Sequence, residues 1–228
     1  MSGQANAIFP LRNPHRVYCA GPLFNEAERR EMIRIAYVLR RAGFEAFVPH
    51  ADGMEFADVL PYLIAQGHDA AAAGQLLHEA VFALDVYQVV VECGSLVFNI
   101  NGRVPDEGGV AEATIAWMLG KPVVLYKEDC RSAVAGRDNP LLVGQAGFQT
   151  ERDIERLPSA LRRRIDELSP DASHSVACPA HLLATVATGA RFWQGLTGLG
   201  RARPAAGVAE AVLDVFGPER EASAALQT

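Results

Sequence analysis

Asp106 and Glu112 stand six residues apart around a Gly108-Gly109 pair, within the run VFNINGRVPDEGGVAEATIAWMLGKPVVLY over residues 97–126. Two carboxyl groups held close together push their pKa values apart, which lets one site hold an acid and a base at once. The free N–H groups and positive dipole end of a helix favour a carboxylate there, so an ionised Glu112 facing a crevice is a candidate nucleophile. The same two residues also read as a glutamate that complements its helix dipole and an aspartate that turns a loop. Residue type alone leaves both readings open.

Positioning such a pair requires a strand, a loop, a helix and a second strand. Residues 97–100 and 122–125 are short apolar runs of the kind buried in parallel sheets. Between them residues 110–119 carry Ala, Ile and Leu at helical spacing and end at Gly120, a natural residue beyond a helix C-terminus. Glu112 is thereby expected in the first helical turn, and Asp106 on the loop at the carboxyl end of the strand. In open α/β sheets that edge is where ligands bind.

The rest of the chain repeats this grammar. Residues 16–20 (RVYCA) read as a strand with Tyr18 at its centre, running into a tight turn at Gly21-Pro22. Asn25 and Glu28 form a capping box, and Met32, Ile35, Ala36 and Leu39 follow at i, i+3, i+4 and i+7. Residues 44–48 then make a second strand, so the sheet begins with a parallel βαβ unit. His50 and Asp52 follow this strand at its carboxyl end, where they are either contacts to a ligand edge or members of a solvated turn.

After an alanine-rich stretch read as irregular, residues 75–91 predict an amphipathic helix with Leu76, Leu77, Ala80, Val81, Leu84, Tyr87 and Val91 on one face. Asp85 lies at the edge of that stripe. Residues 147–150 predict a last strand and 151–168 a charged helix whose arginines are a solvated face. A Ser/Pro/Ala linker over 169–180 leads to helices at 181–196 and 207–216. These patterns predict a flexible arm over 1–14, one domain over 15–168, and a linker with a helical extension over 169–228. The fold class is a flavodoxin-like or Rossmann-like doubly wound parallel sheet of about five strands.

At 228 residues, half of them hydrophobic, the chain can bury a substantial core. Its net charge of −6 argues against binding nucleic acid, which calls for a basic face. Cys19, Cys93, Cys130 and Cys178 are scattered without a CxxC pair, which fits neither a zinc site nor a disulfide framework and suggests a reducing cytoplasm. No run approaches a membrane span, and the first fifteen residues show no signal-peptide pattern. Neither GxxxxGK[ST] nor GxGxxG occurs.

Three stretches taken together resemble the nucleoside 2-deoxyribosyltransferases: VYCAGPLFNEAERR (17–30), GFEAFVPHADG (43–53) and NGRVPDEGGVAEATIAWMLGKPVVLYKEDCR (101–131). The third contains a D-x-G-x-x-x-E signature formed by Asp106, Gly108 and Glu112, and later an Asp-x-Arg loop. The resemblance extends over residues 16–150. It implies that Glu112 is the nucleophile that attacks C1′ of the deoxyribose and that Asp106 lies near the sugar hydroxyls. It further implies that Tyr18 orients the nucleophile, that Asp85 protonates the leaving base, and that Asn139 reaches the sugar 5′-hydroxyl of a neighbouring subunit.

Gly21, Pro22, His50, Asp52 and Gly108 are the remaining substrate-binding positions so implied. No metal or organic cofactor is expected; the partners are a deoxynucleoside, a free base and further copies of the chain in a homo-oligomer. The chain departs from the family pattern at Cys93-Gly94 and at Asn101, where relatives usually carry aspartates. Two rival readings remain: an N-glycoside hydrolase of nucleosides or nucleotides on the same scaffold, and a non-catalytic nucleotide sensor.

Overall fold

Four of the five residues in RVYCA are buried, and so are all five of SLVFN and all four of VVLY, as expected for strands covered on both faces. In the computed structural model, which describes residues 13–102, 104–129, 138–168 and 179–217, these become β1 (Arg16–Ala20), β3 (Ser95–Asn99) and β4 (Val123–Tyr126). With β2 (Glu45–Phe47) and β5 (Thr150–Glu151) they form a five-stranded sheet of order β2-β1-β3-β4-β5, every pair parallel. Tyr18 pairs with Phe47 on one side and Leu96 on the other. The order reverses direction between β1 and β3, which opens a crevice at their carboxyl ends. The doubly wound fold expected from the sequence is therefore the one found.

Helix α1 (Glu26–Arg41) starts where its capping residues place it: Asn25 Oδ1 accepts from the N–H groups of Ala27 and Glu28 at 3.0 and 3.1 Å. Met32, Ile35, Ala36 and Leu39 are all buried, in a core with Val17, Cys19, Val97 and Tyr126. Helices α4 (Glu107–Met118) and α6 (Leu157–Glu167) complete this layer set, with a single turn α5 (Pro140–Val143) before β5.

The chain divides into two compact units, Met1–Val48 with Gln88–Cys178, and Pro49–Tyr87 with Pro179–Thr228. The second consists of α2 (Phe56–Ala65), α3 (Ala70–Tyr87), α7 (Ala180–Gly198) and α8 (Ala205–Phe216) around Leu63, Leu77, Ala80, Leu84, Phe192, Leu196 and Val212. The helical extension thus shares a core with α2 and α3. Gly189 of α7 approaches α3 so closely that a β-carbon there would lie 2.1 Å from the Ala83 carbonyl oxygen.

Several boundaries differ from the expectation. The stretch read as irregular contains α2, whose interior Pro61 breaks the usual helix signal, and α3 begins at Ala70, five residues before the predicted start at 75. α3 gives way at Gln88–Glu92 to a wider π-helical turn closed by Cys93 N donating to Gln88 O at 2.8 Å. The last strand lies at Thr150–Glu151, and α6 begins only at Leu157. Residues 1–12 of the expected arm, 169–178 of the expected linker, and Cys130, Arg131 and Cys178 lie outside the described residues. Among the described residues no helix is long and apolar enough to cross a membrane.

Candidate active site

Tyr18 occupies the middle of β1, fully buried, with its ring stacked on Phe47 at 5.6 Å between centroids. Packing on both faces of the sheet fixes the phenol, and its hydroxyl donates to Glu112 Oε1 at 2.7 Å. Glu112 is half-buried on α4. The two residues predicted to act together thus meet across 94 positions of sequence.

Helix α4 begins three residues earlier than the sequence suggested. Asp106 is its N-cap, with Oδ2 accepting from Gly109 N at 2.6 Å, so Glu112 sits in the second turn and not the first. The reason is local: the cap makes Glu107-Gly108-Gly109 helical even though the glycine pair reads as loop. The Tyr18 hydroxyl thus contacts Glu112 from β1, while the Gly109 N–H of the first turn is taken by Asp106. Gly108 lies exposed in this first turn.

Gly21, at the end of β1, adopts φ +152°, and a β-carbon there would come within 2.9 Å of Asn99 Cβ and 2.8 Å of Met32 Sδ. Only glycine lets the loop pass this close to β3; Pro22 follows it, buried. Beneath the loop, Asn99 Nδ2 donates to Glu31 Oε2 at 2.9 Å and Asn101 Nδ2 to Glu31 Oε1 at 2.8 Å. Asn101 Oδ1 also accepts from the N–H groups of Glu128 and Asp129 at 2.8 and 3.1 Å, and Asp129 Oδ2 accepts from Gly102 N at 2.6 Å. Asn101 therefore ties the loop after β3 to the loop after β4. Its sequence signal is the Asn101-Gly102 pair, a turn dipeptide.

Asn139 is exposed and caps α5, its Oδ1 accepting from Leu141 N at 2.9 Å. It lines a groove of about 770 Å³ with Val110, Thr114 and Trp117 of α4 and with Leu141 and Phe148. Glu112 does not line that groove.

The second unit holds the remaining predicted residues. His50 and Asp52 lie on a single π-helical turn, Pro49–Gly53, closed by Met54 N donating to Pro49 O at 3.1 Å. Asp85 is half-buried on α3.

Lys121, at the entry to β4, is a buried cation that sequence reasoning passed over. Its Nζ donates to the carbonyls of Val89, Val90 and Cys93 at 2.6, 2.9 and 2.6 Å, fastening the turn that leads into β3. Burial pushes its pKa down to about 8 and pushes that of the neighbouring Cys93 thiol up to about 12. Among the described residues no group of three or more His, Cys, Asp or Glu side chains is arranged to hold a metal ion.

Residues 17–159 match the family model described as nucleoside 2-deoxyribosyltransferase. No curated protein matches. Among solved structures the chain is similar to a conserved protein from Enterococcus faecalis V583, at 19% identity over 65% of this chain and 98% of that one, with a TM-score of 0.46.

Proposed function

Because the chain belongs to the nucleoside 2-deoxyribosyltransferase family, we propose that it exchanges the base of 2′-deoxynucleosides through a covalent intermediate on Glu112. The observation that carries this reading is the 2.7 Å hydrogen bond from Tyr18, on β1 beside the sheet's switch point, to Glu112 on α4. A glutamate that served only its helix dipole would sit in the first turn and face water. Here the carboxylate is half-buried and accepts from a phenol that is itself fully buried.

In the first step a carboxylate oxygen of Glu112 bonds to C1′ as the C1′–N bond breaks through an oxocarbenium-like transition state. The bonding pair leaves with the base, and Asp85 supplies the proton that the base takes up. In the second step a ring nitrogen of the incoming base attacks C1′ and displaces the carboxylate. Two inversions restore the β-configuration, and the acceptor's proton returns to Asp85. Tyr18 holds the nucleophile's orientation, and Asp106, with one oxygen committed to capping, fixes the start of α4 beside the sugar.

A second copy of the chain is proposed to complete the site with Asn139. Support comes from the apolar groove that Asn139 lines, where Trp117 and Leu141 are 53% and 83% exposed. Incubation of deoxyinosine with adenine tests the activity. Deoxyadenosine is the expected product, whereas free deoxyribose alone assigns the chain to hydrolysis. Capture of a 2-deoxy-2-fluororibosyl adduct on Glu112 is expected by mass spectrometry, and its appearance on any other residue overturns the assignment.

A further inference from the structure

Arg203, on the loop between α7 and α8, has φ +38°, in the left-handed region that a residue with a side chain occupies only when its surroundings hold it there. Those surroundings lie in the same helical unit. The guanidinium carbon stands 4.7 Å from the centre of the Trp193 ring, and Nη1 donates to the carbonyl oxygens of Asp52 and of Gly53, the latter at 3.3 Å. These two carbonyls end the π-helical turn Pro49–Gly53, and they sit 150 or more positions away in sequence. His50, at the start of the turn, lines a cavity of about 600 Å³ together with Tyr62, Arg201 and Arg203.

The chemistry of the contact suits a clamp. A guanidinium is planar and stacks on an indole face while its N–H groups still point in the ring plane toward acceptors. One side chain thereby joins α7, the α7–α8 loop and the turn after β2. A lysine could supply the charge and a donor, but neither the stack nor the planar array of donors.

We infer that Arg203 is a positioning residue: through it the C-terminal helices fix the Pro49–Gly53 turn and so set how His50 and Asp52 meet a nucleobase. The inference rests on the proposed reading of His50 and Asp52 as base contacts. It makes the helical extension part of the machinery for base selection.

Arg203→Met and Arg203→Lys, with the wild type, test this by steady-state transfer from deoxyinosine to adenine or cytosine and by amide hydrogen exchange over residues 50–54. In Arg203→Met the acceptor KM should rise about tenfold or more and the adenine-to-cytosine preference should change, with kcat within about threefold and faster exchange at the turn. Arg203→Lys should fall between the two. Unchanged acceptor KM and preference in Arg203→Met overturn the inference. So does a fall in kcat that merely follows the folded fraction measured by circular dichroism. If Arg203→Met does not fold, the Arg203→Lys values decide by the same criteria.

Should the wild type transfer no base, the proposed function fails by itself. The clamp is then read from hydrogen exchange and from calorimetric binding of free adenine. Weaker binding with faster exchange in the variants sustains it, and no change in either overturns it.

Discussion

Gly109 faces the ring of Phe98 so closely that a β-carbon at position 109 would lie 2.3 Å from Phe98 Cε2. Phe98 is fully buried in β3 and has no room to yield, so the missing side chain sets how near α4 lies to the sheet. The second turn of α4 carries Glu112. Gly109→Ala is therefore expected to lower stability by about 1–3 kcal/mol and to reduce transfer about tenfold or more by lifting Glu112 from Tyr18. Gly108→Ala is the control for stability alone: it is exposed, and its β-carbon would meet only Asp106 Oδ2, at 3.2 Å. Thermal melts of both variants and kcat/KM of Gly109→Ala check the pair.

Tyr18→Phe keeps the ring that stacks on Phe47 and deletes the donor to Glu112. Loss of a hydrogen bond to a charged group of this kind corresponds to about 10–100-fold in rate. The expected signature is a fall in kcat with little change in melting temperature. Glu112→Ala is expected to abolish transfer with the fold retained. An active Glu112→Ala would remove the nucleophile from position 112 altogether.

Lys121 gives a pH dependence with a definite sign. Its pKa is lowered from the ordinary 10.5 to about 8 by burial, so between these values the unfolded chain holds the proton and the folded chain does not. Stability then rises with pH across this window and is independent of this group below it. A gap of this width corresponds to at most about 3 kcal/mol, and the three carbonyls that prefer an ammonium reduce it. The Cys93 thiol, raised from 9.0 to about 12, keeps its proton in the folded chain while the unfolded chain loses it, so it lowers stability as pH passes 9, in wild type and variant alike. Urea unfolding at pH 7 to 10 is expected to show the wild type gaining on Lys121→Met as pH rises.

What the sequence disclosed depended on whether a signal was local. α1 was legible because Asn25 marks its start and Met32, Ile35, Ala36 and Leu39 mark its buried face, and β1, β3 and β4 because continuous apolar runs flank Gly and Pro. α2 was hidden by Pro61, and the start of α4 by a glycine pair that a single capping aspartate overrides. Periodicity says which face of a helix is buried but not against what. That α3 shares a core with α7 and α8 was therefore not written in either segment alone.

The site divides in the same way. Spacing brought Glu112 and Asp106 forward without choosing between chemistry and helix capping; the likeness of three stretches to a known family assigned their roles and that of Tyr18. Asn101 and Arg203 were not legible, since each acts on backbone groups brought to it by the fold, and backbone acceptors leave no mark in composition. Lys121 was hidden for the same reason: its three acceptors are main-chain carbonyls.

Asn139 supplies the remaining prediction. Its carboxamide is exposed beside an apolar groove, and Glu112 lies outside that groove, which suits a residue that serves a neighbouring copy. If it acts across an interface, Glu112→Ala and Asn139→Ala proteins should each be impaired alone yet recover activity when unfolded, mixed and refolded together. A mixed dimer then contains one site with both residues intact, so about a quarter of wild-type activity is expected from random pairing of equal amounts. Asn139 acting within its own chain predicts no recovery beyond the residual activity of Asn139→Ala. Leu141→Asp, placed at the most exposed apolar position of the groove, should shift the sedimentation coefficient toward the monomer and lower transfer in parallel.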